Sequence, residues 1–239
     1  MISLSKFVSN EKPHLAKKEE DMPLSTSATH YLEKLIDNYR QQVLPLFPEN
    51  ISEKNQETNV LKDFMDLISS KKNFCFDRHC LPGHITGSCI LVDKKFSKVV
   101  LTHHKKLNKW LQLGGHSDGD NIISRVAYRE AVEESGISDI DFCSPLSLDI
   151  SSQTETLPLD FDIHLIPARE SEAEHYHFDV RFILIANDSH LTISEESNDL
   201  RWFDFYEVKE ITSERSTLRQ IEKIRWLKES IKKNKVNIG

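Results

Sequence analysis

Glycine is scarce in this chain: 239 residues hold only seven, beside three methionines and three tryptophans. Six of the seven fall between positions 83 and 136, namely Gly83, Gly87, Gly114, Gly115, Gly119 and Gly136, and the seventh is the C-terminal residue. Glycine is needed where the backbone takes dihedrals closed to other residues or comes very near another group, so one stretch carries nearly all of the special backbone. Long apolar runs are missing too. None approaches the roughly 20 residues of a membrane span, which argues against a membrane protein. The opening MISLSKFVSNEKPHLAKKEE lacks the apolar core of a secretory signal. Cys75, Cys80, Cys89 and Cys143 show no CxxC spacing and read as free thiols of a reducing compartment, with the cytoplasm as the expected location. Positive charge is in deficit: 31 Lys and Arg against 38 Asp and Glu leave −7, which argues against broad electrostatic binding to nucleic acid. An acidic chain can still bind a small phosphorylated molecule if it recruits cations.

What is present suggests one main domain with an appendage. Residues 1–24 are polar and aperiodic and read as a flexible arm. The run Ser25-Thr26-Ser27 offers a cap for a helix near 28–44, striped by Tyr31, Leu32, Leu35, Ile36 and Tyr39. A second helix is expected at 56–70, so that 25–72 form a helical extension packed on a domain spanning 73–239. Within that domain, 87–92 and 96–102 read as a hairpin and 121–135 as a helix. Strands are expected at 143–150, 159–167, 176–186 and 200–203, and a closing helix at 215–233. The pattern is α/β: a mixed sheet flanked by helices.

The segment LQLGGHSDGDNIISRVAYREAVEESGI, residues 111–137, carries the strongest chemical signal. Glu130, Glu133 and Glu134 stand at i, i+3 and i+4 and share one helical face. They also sit at the C-terminal end, where the macrodipole disfavours anions, just before Gly136 as a C-cap. A solvated acidic face is the bland explanation. A hard divalent cation with oxygen ligands would offset both penalties, and Arg129 adds a fixed positive charge able to orient a neighbouring carboxylate.

With Gly115, Arg129, Glu130, Glu133, Glu134, Gly136 and Ile137 in register, the segment resembles the Nudix box, G-x5-E-x7-R-E-U-x-E-E-x-G-U, where U is bulky aliphatic. Two positions depart: Asn121 replaces the first glutamate and Ala131 the aliphatic, with Asp120 a candidate substitute for the missing carboxylate. The resemblance covers about 75–210 and implies a Nudix-type α/β/α sandwich. It also implies Mg²⁺ or Mn²⁺ on Glu130, Glu133 and Glu134, the Gly115 carbonyl as a further ligand, and Glu196 of a late acidic loop as an additional ligand or base. The family's reaction is attack by water on a diphosphate linked to another moiety, the activity of a nucleotide pyrophosphatase.

Histidines supply a second signal. Along 175–182 the period-2 pattern of a strand sends His175, His177, Asp179 and Arg181 to one side, and Asp160, Asp162 and His164 alternate in the same way. An ordinary half-exposed strand would show this pattern; so would histidines sharing one metal. His84 and His116 both follow glycines. His84-x3-Ser88, Gly114-Gly115-His116 and His175-Tyr176-His177 are similar, in order, to metal-site segments of type I isopentenyl-diphosphate isomerase, a Nudix-fold enzyme. That resemblance implies a nitrogen-rich site of His84, His116, His175 and His177 for Zn²⁺, Mn²⁺ or Fe²⁺. Gly114 stands where the isomerase has its proton-transferring cysteine, which argues against isomerase activity.

Trp110 and Trp202 are candidates for stacking on a nucleobase, or for packing at the rim. Arg181 with Asp179 is a candidate substrate contact, or a partner of the many carboxylates. The function expected is metal-dependent hydrolysis of a phosphoanhydride in a small phosphorylated substrate. The alternatives are other chemistry at a histidine metal centre and a non-catalytic ligand-binding module. Fold alone does not name a substrate. The N-terminal helices are candidates for a lid or for the interface of a homodimer.

Overall fold

A computed structural model describes residues 28–52, 54–150, 156–169, 172–195 and 197–236. The arm expected over 1–24, and Glu196, lie outside them. Helix α1 spans His30–Asn38, and its Leu32, Leu35 and Ile36 are buried at the i, i+3, i+4 spacing that makes an apolar stripe. The chain runs on through a wide π turn at Tyr39–Val43 and a tight 3₁₀ turn at Leu44–Leu46, so the helix expected near 28–44 changes its winding after Asn38. A short helix α2, Glu49–Ser52, precedes α3, Lys54–Lys71, which buries Leu61, Phe64, Leu67 and Ile68.

Eight strands follow: β1 Gly83–Asp93, β2 Lys98–His104, β3 Lys109–Leu111, β4 Leu113–His116, β5 Ile140–Cys143, β6 Asp160–Ile166, β7 His175–Ala186 and β8 Ser197–Asp204. Helix α4, Ile123–Ser135, lies between β4 and β5, and the chain closes with α5, Val208–Ile211, and α6, Arg215–Val236. The mixed α/β architecture expected from the sequence is the one observed. The strand expected at 143–150 is instead β5 at 140–143, because Ser144-Pro145 turns the chain away. Strands β3 and β4, which flank Gln112, were not anticipated. No helix among the described residues is long and apolar enough to cross a membrane. All four cysteines are free and buried.

At the centre, β1 pairs in parallel with β7 from Gly83↔Tyr176 to Asp93↔Ala186. The other edge of β1 takes β4 antiparallel beside its first half and β2 at its far end. The other edge of β7 takes β6 and then β5, and β2 carries β3 and β8 as a wing. Side chains alternate across this sheet. One face bears Ile85, Phe178, Val180 and Phe161, covered by α4 and the N-terminal helices; Phe64 stands edge-on to Phe161 and Phe178 at 5.1 and 5.2 Å. The helices before residue 72 thus share the core of the sheet.

The opposite face is polar, and its centre is buried. Arg181 is 1% exposed and donates to Asp179 at 2.7 Å, Asp162 at 2.9 Å and Asp160 at 3.2 Å. Arg219 of α6 reaches Asp160 at 2.7 Å and Asp162 at 2.9 Å, and Lys223 reaches Asp160 at 2.6 Å, the Tyr39 hydroxyl at 2.8 Å and Glu57 at 3.0 Å. Tyr39 donates to Glu57 at 2.5 Å. Four carboxylates thus meet three cations. Burial, and then Asp160, push the Glu57 carboxyl up, against the pull of Lys223 and the Tyr39 hydroxyl. Burial alone would raise Asp160, but Arg219, Lys223 and Arg181 hold it down to about 2. This network ties the N-terminal helices, β6, β7 and α6 into one unit.

Removing one partner of a buried ion pair costs on the order of 3–5 kcal/mol, so Asp160→Asn should lower the unfolding free energy by about that much in denaturant titrations at neutral pH. Because folded Asp160 titrates below its unfolded value of about 3.9, its stabilisation is complete above that pH and is lost as pH falls through about 2. Wild-type stability should decline across this window, and the variant should lack that share of the decline. An unchanged denaturation midpoint in Asp160→Asn would contradict this account of the network.

Candidate active site

Helix α4 forms where Ile123, Val126, Ala127 and Ala131 recur at helical spacing, and all four are fully buried against the sheet. Its start is fixed by Asp120, which accepts the Ile122 N–H at 2.9 Å and grips Arg125 through two hydrogen bonds of 2.7 Å. Asp120 is therefore committed to this corner rather than standing in for the absent box glutamate. Asn121 donates to the Ala28 carbonyl at 3.0 Å, and Tyr31 and Ser124 share a hydrogen bond of 2.7 Å, so the front of α4 fastens α1. The helix ends at Gly136, with φ +72°, whose N–H bonds the Val132 carbonyl at 2.9 Å.

Two of the three glutamates turn onto β4. Glu134 is 8% exposed and accepts the Gly114 N–H at 2.9 Å. Glu130 lies against Gly115 so closely that a Cβ there would come within 2.6 Å of its carboxylate. The glycine of the motif is required by that close approach. Glu133, on the same helical face, is exposed. Arg129 donates to Glu130 and to the His116 carbonyl, each at 2.9 Å, clamping the carboxylate to the end of β4. Carboxylate oxygens of this kind suit a hard divalent cation.

The histidines occupy the other face of the sheet. Gly87 and Gly115 face α4, so alternation turns His84, Thr86 and His116 away from it. The register places His84 beside His177 and His177 beside His164. One ligand nitrogen each from His84, His116 and His177 lies within 4.8 Å of the others, the one such set of three or more His, Cys, Asp or Glu among the described residues. Glu130, Glu133 and Glu134 are not drawn together to that degree. His175 stacks on His84 at 4.9 Å, donates from Nδ1 to the Ala173 carbonyl at 2.8 Å, and sets its Nε2 3.2 Å from that of His177. Burial, then the neighbouring imidazoles, push His84 down to about 4 and His177 down to about 2. Burial and Arg78 lower His116.

Other expected contacts fall elsewhere. Arg181 and Asp179 are enclosed in the ion network, where Thr86 and Ser88 also donate to Asp179 at 3.0 and 2.7 Å, so a substrate role finds no open face there. Trp110 packs on Phe203 and His103 in the β2–β8 wing, with Arg201 5.9 Å above its ring. Trp202 donates to the Ser189 carbonyl at 3.0 Å. Sequence reasoning passed over Arg78, which pairs with Asp118 through two short hydrogen bonds beside His116 and within electrostatic reach of Glu130. Only its place just before Gly83-His84 hinted at a role.

No family model and no curated protein matches the chain. Solved structures do resemble it in part. A NUDIX-family hydrolase from Clostridium perfringens is 25% identical over 60% of this chain and 97% of its own, with a TM-score of 0.47. An Ap4A hydrolase from C. elegans is 13% identical over 59% and 94%, with a TM-score of 0.40. The E. coli dihydroneopterin triphosphate pyrophosphohydrolase is 12% identical over 58% and 92%, with a TM-score of 0.41. These partial overlaps leave the functional reading to the residues of the site.

Gly115→Ala separates the site from the fold. The added methyl meets only the far end of the Glu130 side chain, so stability should fall by less than about 1 kcal/mol. Glu130 must move, however, and Mn²⁺ affinity measured by titration should drop about tenfold or more. Wild-type Mn²⁺ affinity in a folded Gly115→Ala protein would show that Glu130 is not a ligand.

Proposed function

We propose that this chain is a Nudix-type hydrolase that cleaves a phosphoanhydride in a nucleoside diphosphate linked to another moiety, or in a related small pyrophosphate, in the cytoplasm. The observation that carries the reading is the seating of Glu130 and Glu134 on Gly114 and Gly115 of β4, with Arg129 bracing both Glu130 and β4. Carboxylates of Glu130, Glu133 and Glu134, with the Gly115 carbonyl, would hold Mg²⁺ or Mn²⁺. When bound, such a cation neutralises phosphate oxygens and so favours attack by a nucleophile.

The chain's own groups do the rest. One of the three carboxylates accepts a proton as water attacks phosphorus, and the bridging P–O bond breaks to release two phosphorylated products. Arg129 holds Glu130 in place, so the carboxylate spends little entropy on reaching its working position. Glu134, fixed by the Gly114 N–H, links the helix to the same strand.

The histidine cluster supports a second reading, in which an ion held by imidazole rather than carboxylate contributes chemistry of its own. Its support is the set of buried ring nitrogens without hydrogen-bond partners, both of His84 and Nε2 of His116.

A screen of nucleotide sugars, dinucleoside polyphosphates and oxidised nucleotides with Mg²⁺ or Mn²⁺ tests the proposal. Loss of several kcal/mol of charge stabilisation corresponds to about 100-fold or more in rate, and Glu134→Gln should reduce kcat/KM for any substrate found by at least that factor. Turnover that survives Glu134→Gln but fails in His116→Ala would favour the histidine centre. Tight binding of a panel member without turnover in the wild type would point to a non-catalytic module.

A further inference from the structure

We propose that His84, His116 and His177 form a three-imidazole site for one divalent transition ion of the Zn²⁺ class, separate from the glutamates and open at a fourth coordination position. This assignment does not depend on hydrolase activity.

The first argument is an unmet need. His84 is 1% exposed, yet neither of its ring nitrogens has a hydrogen-bond partner, and Nε2 of His116 is likewise buried and unpaired. The Cys80 backbone is close enough to act as an acceptor for one His84 ring nitrogen, which leaves the other nitrogen for an ion. Burying a polar group without a partner is costly. One metal ion takes one nitrogen from each neutral imidazole, and so can satisfy a nitrogen of His84 and a nitrogen of His116 at once.

Geometry supplies the second argument. The three ligand nitrogens come from three adjacent strands, β1, β4 and β7, and lie within 4.8 Å of one another. Tetrahedral Zn–N bonds of about 2.0–2.1 Å place nitrogens roughly 3.3 Å apart, a change that small side-chain rotations cover. Nitrogen donors without a carboxylate among them favour Zn²⁺, Co²⁺ or Fe²⁺ over Mg²⁺.

Third, His175 behaves as a positioning residue for the trio. Its Nδ1–H is anchored on the Ala173 carbonyl, which leaves Nε2 as an acceptor 3.2 Å from His177 Nε2, and its ring stacks on His84. An anchored second imidazole of this kind orients a ligand. His84 is buried while His116 and His177 are half-buried, so the fourth position faces outward, as in metal sites that bind water or a substrate atom.

The test uses the full-length chain, stripped with chelator and titrated with Zn²⁺ and Co²⁺ in the presence of excess Mg²⁺. We expect one equivalent of Zn²⁺ per chain by elemental analysis, undisturbed by Mg²⁺, and visible Co²⁺ bands of a four-coordinate nitrogen site. His177→Ala should weaken Zn²⁺ binding by about 100-fold or more, whereas Glu134→Gln and the exposed-surface variant His190→Ala should leave it unchanged. His175→Gln should weaken it by about tenfold while keeping the stoichiometry. Binding of less than one equivalent by stripped wild type, or equal loss in Glu134→Gln, overturns the assignment. If His177→Ala does not fold, the wild-type stoichiometry and the Co²⁺ spectrum decide the matter alone. An active enzyme that binds no Zn²⁺ would refute this site and leave the glutamate-centred reading standing.

Discussion

The parallel pairing of β1 with β7 is the constraint on which the rest depends. Its register puts His84 beside His177, Thr86 beside Asp179 and Ser88 beside Arg181, and sends all six to one face. The residues between them, Ile85, Gly87, Phe178 and Val180, form the face on which α4 and the N-terminal helices pack. A slip of one residue would exchange the two faces. Asp179 and Arg181 would then meet Phe64 and α4 without partners, and aromatic rings would enter the ion network. The buried charges add little net stability against an apolar equivalent, but an unpaired buried charge is very costly. Their effect is to forbid the wrong register, which is also the register that would scatter the histidines.

Strand β4 then joins the two candidate sites within four residues. Its Gly114 N–H holds Glu134, its Gly115 leaves room for Glu130, and the His116 carbonyl is held by Arg129 while the His116 ring turns to the far face. The glutamates of α4 therefore lie on one side of the sheet and the histidines on the other. Hard and borderline cations would sort between them by ligand chemistry, without a barrier between the sites. In a chain of net charge −7, cations at the proposed sites would offset the repulsion between bare carboxylates and an anionic substrate.

Much of this was legible from residue spacing. The i, i+3, i+4 stripes of α1 and α3, the alternation in β6 and β7, and the extent of α4 all follow from periodicity, which reports which side of an element is buried. The close approach of Glu130 to Gly115 emerged only with the pairing of α4 on β4. What could not be read were features set by tertiary partners. Strand β4 is four residues long with two glycines, too short and too poor in side chains to show alternation, and exists because β1 offers it an edge. The sequence left Arg181 as either a substrate contact or a partner of carboxylates, because it shows the charge but not the three aspartates that enclose it. Arg219 and Lys223 sit on a helix whose exposed-looking charges proved to be buried, since their partner Asp160 is 59 and 63 residues away in sequence.

The departures from the box have a physical reason in the same contacts. At position 121 the side chain faces the Ala28 carbonyl, and only a donor is satisfied there. An ionised glutamate offers acceptors alone, so it would repel that oxygen and release the start of α1 from α4. Tyr31 and Ser124 bond a turn further along the same contact, which shows that the front of the helix is an interface between the extension and the domain. Asp120 cannot compensate, since both of its oxygens are engaged by Arg125 and the Ile122 N–H. The carboxylates open to a cation are therefore those at the back of α4, where Ala131, small enough to sit fully buried against the sheet, leaves Glu130 and Glu134 directed at β4. At the front of the helix a structural contact occupies the position where the Nudix box has its first glutamate, and the proposed ligands Glu130, Glu133 and Glu134 lie toward its C-terminal end.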